Sequence, residues 1–531
     1  MTPFLGKEKE MKTAIMIVIT LALAASPLYG TAEQPPPVSS SENLSTPPPT
    51  PAQEQPEVLT RGPVHESFAE PVNLQVQAGL LVPSQPPPNI EEIPPVEKPA
   101  GEQFIWVPGY WSWDGDRSSF IWVNGCWRVA PPNMYWVPGY WAQVANGWEW
   151  IAGFWALSGV REIEYLPAPP AFDDVQPPGP LPSPDSIWVP SCQYWYQGHY
   201  VRRPGYWLVA CAGWVWVPSH YVWTPRGYIF VAGYWDYSLE RRGVLFAPVY
   251  FPRSVYGRPG FSYSPSIVIN IGLLQFSLFT YPRYCHYYFG DYYDDVYLSI
   301  GIYPRFESER VHTWYDPIYV YDRWHHRKDE PRWEERERHE YELRRDNKDL
   351  RPPRTYHEME TRGAKLPELQ RRNFEVAQPL TAVVAASREV PLKFEHINTK
   401  TQQKLATQAT TVHKFREERK HWESIAAGQK TVESPTEPKG PVAPLPGHKE
   451  TVSPPAGQKG SVTPPTEHTP AFVSPREVRA TKPEKVKIPK PPIVGKSTDS
   501  RKSEGSPPPN PDKERQRTED TRDKDKDRTR K

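Results

Sequence analysis

A six-residue aromatic repeat governs the middle of this chain. WVPGYW stands at 106–111 and again at 136–141, WVNGCW at 122–127, WIAGFW at 150–155 and FVAGYW at 230–235. Internal repeats come first in any reading, because missing them misassigns the whole fold. The hexapeptides begin at 106, 122, 136 and 150, then at 188, 202, 216 and 230. The steps are 16, 14 and 14 in the first set and 14, 14 and 14 in the second, with a gap of 38 between the sets. This is two arrays of four units. The second array opens on degenerate copies, WVPSCQ from Trp188 and RRPGYW from Arg202, and WVPSHY from Trp216 is intermediate.

Proline fixes φ and glycine supplies φ > 0 at the centre of a type II turn. Val-Pro-Gly-Tyr therefore predicts a hairpin inside each hexapeptide. Val107 then faces Tyr110, Trp106 faces Trp111, and Gly109, Gly139, Gly153 and Gly233 take φ > 0. Asp114-Gly115, Asn146-Gly147 and Arg226-Gly227 mark further turns between hexapeptides, and Asn-Gly between aromatics is a strong hairpin signal. The alternative is one unbroken strand through the motif, with its proline at a sheet edge. Either way the expected fold is mainly β: aromatic-rich, short-strand hairpin repeats in two arrays, followed by a charged helical region and a disordered tail.

The hexamers resemble the YXWGXW (WXXGXW) repeat family of exported bacterial proteins, over about a quarter of the chain. The resemblance implies an exported bacterial repeat protein and no particular activity. Seventeen of the 21 tryptophans lie between 106 and 235. In a segment with few Leu and Ile they are the natural core, because each carries a large apolar area. A two-faced sheet also leaves room for outward rings. Trp113 and Trp223 lie outside the repeat's paired positions and are the expected exposed, sugar-stacking rings.

Residues 1–32 have the form of a signal peptide. Lys12 precedes TAIMIVITLALAA at 13–25, too short to span a bilayer, and Gly30-Thr31-Ala32 offers small residues for cleavage. Met1 and Met11 are both candidate starts. No cysteine follows the apolar run, which argues against a lipid anchor, and no other stretch suits a transmembrane helix. Residues 33–100 are rich in Pro, Ser, Gln and Glu and read as a disordered spacer. The arrays occupy 101–160 and 186–243, joined by a Pro-rich linker at 161–185. A Tyr-rich β segment covers 244–325. The charged region 326–430 is partly helical, with i,i+4 ion pairs after Trp333 and a helix near 398–425 capped by Asn398. Residues 431–531 carry prolines and charges of both signs and read as a disordered tail.

One cluster suggests chemistry: His286 with Asp291, Asp294 and Asp295. Oxygen ligands of this kind suit a divalent cation, and the same carboxylates are the acid/base candidates of a hydrolase at 286–295. The spacing matches no calcium loop, and a polar turn between tyrosine strands explains it equally, so no metal and no cofactor are expected. Cys126, Cys192, Cys211 and Cys285 permit two disulfides in three connectivities, or serve as small apolar residues. No phosphate loop, nucleophile elbow or zinc-hydrolase helix is present. A formal net charge of +1 gives no basic field for nucleic acid. The expectation is an exported, non-catalytic protein of the periplasm, envelope or exterior. Its expected contact is cell-wall or surface glycan, with another envelope protein as the alternative.

Overall fold

The chain runs straight through each hexapeptide, and the hairpins fall between hexapeptides. Strands Phe104–Val107 and Tyr110–Asp114 flank the centre of the first copy, and Ser119–Val123 and Cys126–Val129 flank that of the second. These four pair antiparallel as one ribbon. Trp106 stands opposite Trp127 and Val107 opposite Cys126; Tyr110 stands opposite Val123 and Trp111 opposite Trp122. The ladder skips Pro108-Gly109 and Asn124-Gly125 at its middle. Three further ribbons repeat the scheme, joining 136–141 to 150–155, 188–193 to 202–207 and 216–221 to 230–235.

The mainly β architecture of short antiparallel hairpins in two arrays is thus present, with two ribbons to an array. The hairpin inside the hexapeptide is not. Trp106 faces Trp127 rather than Trp111, and Gly109, Gly139, Gly153 and Gly233 are not among the residues with positive φ. Ribbon tips lie at the turn signals between copies. Val144 faces Gly147, Tyr196 faces His199 and Thr224 faces Gly227, each closing a two-residue loop. In the first ribbon Asp114 faces Ser119 across four residues, which accounts for the step of 16 in place of 14.

The motif glycine answers to a tryptophan rather than to a turn. A Cβ on Gly125 would stand closer than 3.0 Å to Trp106, and the same holds for Gly109 with Trp122, Gly139 with Trp150, Gly153 with Trp136, Gly205 with Trp188 and Gly233 with Trp216. The first tryptophan of one copy lies over the glycine of its partner copy. It then meets the partner's last tryptophan edge-on or tilted, with ring centroids 5.0 to 5.3 Å apart. Such aromatic pairs contribute about 0.5–1.5 kcal/mol beyond area burial. The degenerate copies change together under this rule. Where Arg202 replaces the first tryptophan, its partner copy has Ser191 for glycine and Gln193 for the last tryptophan; where Phe230 replaces it, the partner has Ser219 and Tyr221.

The computed structural model describes residues 55–74, 78–171, 177–367, 371, 374–386, 392–424, 483–489 and 507–512. The expected signal peptide at 1–32 and most of 431–531 lie outside this set. Much of the expected spacer is built into the fold. Gly62–Pro63 pairs with His286–Phe289, Leu81–Val82 with Gly147–Ile151 and Glu91–Glu92 with Ser262–Tyr263, while Val64, Phe68, Val72 and Ile90 are buried. Its prolines do not prevent this, because extended segments pack against a core that the ribbons already provide. In the expected linker, Glu162–Leu166 pairs with the fourth ribbon and with Glu484–Lys487 of the expected tail.

The Tyr-rich segment adds a sheet in which Leu278–Tyr281 pairs with His286–Phe289, and Tyr284 lies against Trp141 and Trp150. Helix Trp333–Asp346 is docked rather than free: Trp333 is buried against Tyr319, and Tyr341 touches Phe279 and Tyr293. Helix Thr399–Ser424 begins as expected, with Asn398 Oδ1 accepting the Thr401 N–H at 2.9 Å. Among the described residues no helix is long and apolar enough to cross a membrane.

Candidate functional site: carboxylate clasps in the ribbon gaps

A ladder that skips two residues on each side leaves two peptide groups turned out of the sheet. In the second ribbon the Gly139 and Gly153 N–H groups donate to Glu66 Oε1 and Oε2 at 3.0 and 3.1 Å. The preceding carbonyls, of Pro138 and Ala152, accept from Arg419 Nη1 at 2.9 and 3.0 Å. Arg419 is fully buried and pairs with Glu423 at 3.0 Å, and Glu423 accepts the Tyr140 and Tyr165 hydroxyls. The gap is therefore closed by an acid through its N–H groups and by a guanidinium through its carbonyls. Leaving such buried groups unpaired costs about 1–3 kcal/mol each.

On its N–H side the first ribbon is closed the same way. Glu92 accepts the Gly109 and Gly125 N–H groups at 2.8 Å each and the Trp122 indole at 3.1 Å, and Arg416 reaches the Gly109 carbonyl at 3.4 Å. In the fourth ribbon the Gly233 N–H donates to Ser219 Oγ at 2.9 Å, and Ser219 donates to Asp512 Oδ2 at 2.8 Å. Tyr206 of the third ribbon donates to the other oxygen of Asp512 at 3.1 Å.

Two of these acids arrive on the same kind of peptide. Pro-Pro-Pro-Asn at 86–89 precedes Glu92, and Pro-Pro-Pro-Asn at 507–510 precedes Asp512. Trp111 Nε1 donates to the Pro88 carbonyl at 2.8 Å, and Trp235 Nε1 donates to the Pro509 carbonyl at 3.5 Å. Each indole belongs to the last tryptophan of its hexapeptide. Asn510 also donates to the Gly233 carbonyl at 2.8 Å. Aromatic grooves read extended proline segments at low entropic cost, because the polyproline helix is preformed and its carbonyls are free.

The surroundings are dry. Burial pushes the Glu92 carboxyl up to about 7 and that of Glu66 up to about 6, against the pull of the glycine N–H groups. His65 Nδ1 accepts the Ser67 N–H at 3.1 Å, so its proton sits on Nε2, which faces the Pro108 carbonyl at 3.2 Å. His286 Nδ1 faces the Tyr284 carbonyl at 2.7 Å, so Nε2 accepts the Tyr110 hydroxyl at 2.6 Å. Tyr110 in turn accepts the Glu66 N–H at 3.1 Å. Both rings are neutral, and burial lowers both to about 3.

This geometry corrects several expectations. His286 is fully buried and turned to Tyr110, while Asp291 and Asp294 pair with Arg351 and Arg354 and Asp295 opens a short helix. Among the described residues no group of three or more His, Cys, Asp or Glu is arranged to hold a metal. His286 is held by Tyr110 and Tyr284, apart from Asp291 and Asp294, which share Arg351 and Arg354, and Asp295 is exposed. Cys126, Cys192, Cys211 and Cys285 are free thiols, set in the first ribbon, in the third, just after the third, and between two strands of the tyrosine sheet. Burial pushes the Cys126 thiol up to about 12.

Trp113 is half-buried on Phe120, and Trp223 is half-buried beside Tyr140, Ala142 and Ile151. All 21 tryptophans are buried or half-buried, and the ribbon rule pairs twelve of them with one another. One half-buried ring beside a cleft is Trp148. It is half-buried under Lys420 Nζ at 5.3 Å, beside a cleft of about 230 Å³ walled by Pro86, Pro87 and Pro88.

The residues that close the gaps, Glu66, Glu92, Arg416, Arg419, Glu423 and Asp512, come from stretches that read as spacer, charged region and tail. The one sequence signal for any of them is the second occurrence of Pro-Pro-Pro-Asn before an acid. Set against known proteins, the chain matches no family model, no curated protein and no solved structure.

Proposed function

We propose that the protein is an exported, non-catalytic scaffold of the cell envelope whose ribbons hold acidic, proline-flanked segments. The observation that carries this reading is the repeated clasp, in which Glu66, Glu92 and Asp512 reach ribbon gaps from outside the arrays. The charged start, the short apolar run and the Gly30-Thr31-Ala32 site support export, and the likeness of the hexamers to the YXWGXW family agrees with it. His65, His286, Glu66, Glu92, Asp291 and Asp294 are occupied in structural bonds, which favours holding over chemistry.

A second reading, binding of wall or surface glycan, is favoured by Trp148 and Lys420 beside the proline-walled cleft. Cell fractionation with N-terminal sequencing tests export; a mature start near Glu33 is expected, and an intact Met1 or Met11 overturns it. Sedimentation of the mature protein with purified cell-wall glycan separates the two readings. The scaffold reading expects no retention. Retention that Trp148→Ala abolishes moves the function to the cleft.

A further inference from the structure

Helix Thr399–Ser424 carries Arg416, Arg419 and Lys420 against the first two ribbons, and among the described residues only Arg419 is in an ion pair. Arg416 is 5% exposed. Its Nη1 donates to His413 Nδ1 at 3.2 Å and its Nη2 to the Gly109 carbonyl at 3.4 Å, while its buried Nε has no hydrogen-bond partner among the described residues. Glu66 and Glu92 lie near enough to feel its charge, but both bond glycine N–H groups instead. A buried cation without an ion pair is costly. Lys420 stands four residues on, and like charges at that spacing share a helix face and oppose each other.

Both cations line one cleft of about 230 Å³, together with Trp148 and the prolines at 86–88. Trp111 Nε1 pins that proline wall by donating to the Pro88 carbonyl at 2.8 Å. Gln85, Asn89 and Glu417, all exposed, also line the cleft. Its volume falls below the roughly 300–1,000 Å³ of sites for drug-sized ligands, so it admits one ring rather than a chain.

We infer that this cleft is a binding site for a single carboxylate-bearing sugar residue. The inference rests on the glycan reading above and gives that reading a chemical class. The sugar's carboxylate accepts from Arg416 and Lys420, and charge-assisted bonds of this kind are the strong ones. The apolar face of its ring lies against Trp148 and the prolines. Its hydroxyls meet Gln85 and Asn89, whose amides both donate and accept, and Glu417, which accepts. A neutral sugar would leave Arg416 without an anion, and an aromatic acid would leave the polar groups unused.

The test titrates the full chain by calorimetry with methyl glucuronide and N-acetylmuramic acid, and with their neutral counterparts methyl glucoside and N-acetylglucosamine. At least one acid should bind about tenfold more tightly than its neutral counterpart, a comparison that needs no change to the protein. Preference for the glucuronide points to a uronic-acid polymer, and preference for the muramic acid to wall glycan; either supports the inference. Lys420→Gln should weaken binding of the acid about fivefold and leave the neutral sugar unchanged. Arg416→Gln should abolish the preference for the acid, and if that variant does not fold, Lys420→Gln decides alone. Lys414→Gln removes an exposed cation of the same helix and should change neither. Equal binding of acids and neutral sugars overturns the inference and leaves the glycan reading standing. A preference indifferent to Lys420→Gln overturns the inference, as does an equal loss from Lys414→Gln, because the helix's general charge is then the cause. Absence of saturable binding by any of the four sugars overturns the inference and the glycan reading together.

Discussion

The second and third ribbons follow one rule and differ in what lies on them. Each sets a first tryptophan against a last one, Trp136 with Trp155 and Trp188 with Trp207, at 5.2 and 5.3 Å. The second is held between Glu66 and Arg419, and both its tryptophans are buried. The third has half-buried tryptophans and an exposed outer strand. Its tip is locally sufficient, since Gln197 and Gly198 both take positive φ, as a two-residue hairpin loop of the primed kind requires. The hexapeptide thus specifies a ribbon and not its burial. A lone two-stranded ribbon is marginal in water, and the charged segments that close the gap decide how firmly it is held.

The largest effect should follow from removing the guanidinium. Arg419→Ala leaves Glu423 buried without its cation and uncovers two carbonyls, and should cost about 3–5 kcal/mol in urea denaturation. Replacing Arg419 and Glu423 together by leucine should recover most of that loss, because a buried ion pair is often no better than apolar packing. In the third ribbon Arg203 stacks on Tyr194 at 3.7 Å, a contact worth about 1 kcal/mol, and Arg203→Ala should cost less than Arg419→Ala. Equal losses would break the distinction between the two ribbons.

A smaller effect separates the glycines. A Cβ at Gly153 or Gly205 would meet a tryptophan at less than 3.0 Å. Trp136 is 5% exposed and enclosed, so Gly153→Ala should cost about 2–3 kcal/mol by overpacking. Trp188 is half-buried, so Gly205→Ala should cost less than Gly153→Ala. Thermal unfolding of the two variants side by side decides this.

Much of this architecture was legible before the structure. The repeat, its two arrays and the β class follow from spacing and turn chemistry, and Asn398 marked its helix start. The pairing was legible too, but only by comparing copies. Arg202, Ser191 and Gln193 depart together, as do Phe230, Ser219 and Tyr221, and a hairpin inside one hexapeptide leaves that unexplained. Pro-Gly within a single copy imitates a type II turn, and the local signal concealed the partner. The clasps were less legible. Nothing near Glu66 distinguishes it from a solvated acid, because its burial depends on glycines 73 and 87 residues away. Arg419 likewise sits in a helix whose charges look like a solvent face.

The smallest effect is a matter of pH, and it reports whether a clasp holds an acid or an anion. Glu92 is raised by burial from 4.5 to about 7, so the native state keeps this proton at pH values where the unfolded chain has released it. Its contribution to stability is therefore complete below pH 4.5 and is lost as the pH rises through about 7. The penalty of Glu92→Gln, measured by urea denaturation at a series of pH values, should be largest near pH 4.5 and smallest above pH 7. Glu66→Gln should behave alike over the narrower window from 4.5 to about 6. Ser191→Ala, at the matching place in the third ribbon, removes no titrating group, and its penalty should be level with pH. A penalty for Glu92→Gln that grows with pH would mean that Arg416 and the glycine N–H groups outweigh burial. The clasp would then be an anion site in the first ribbon.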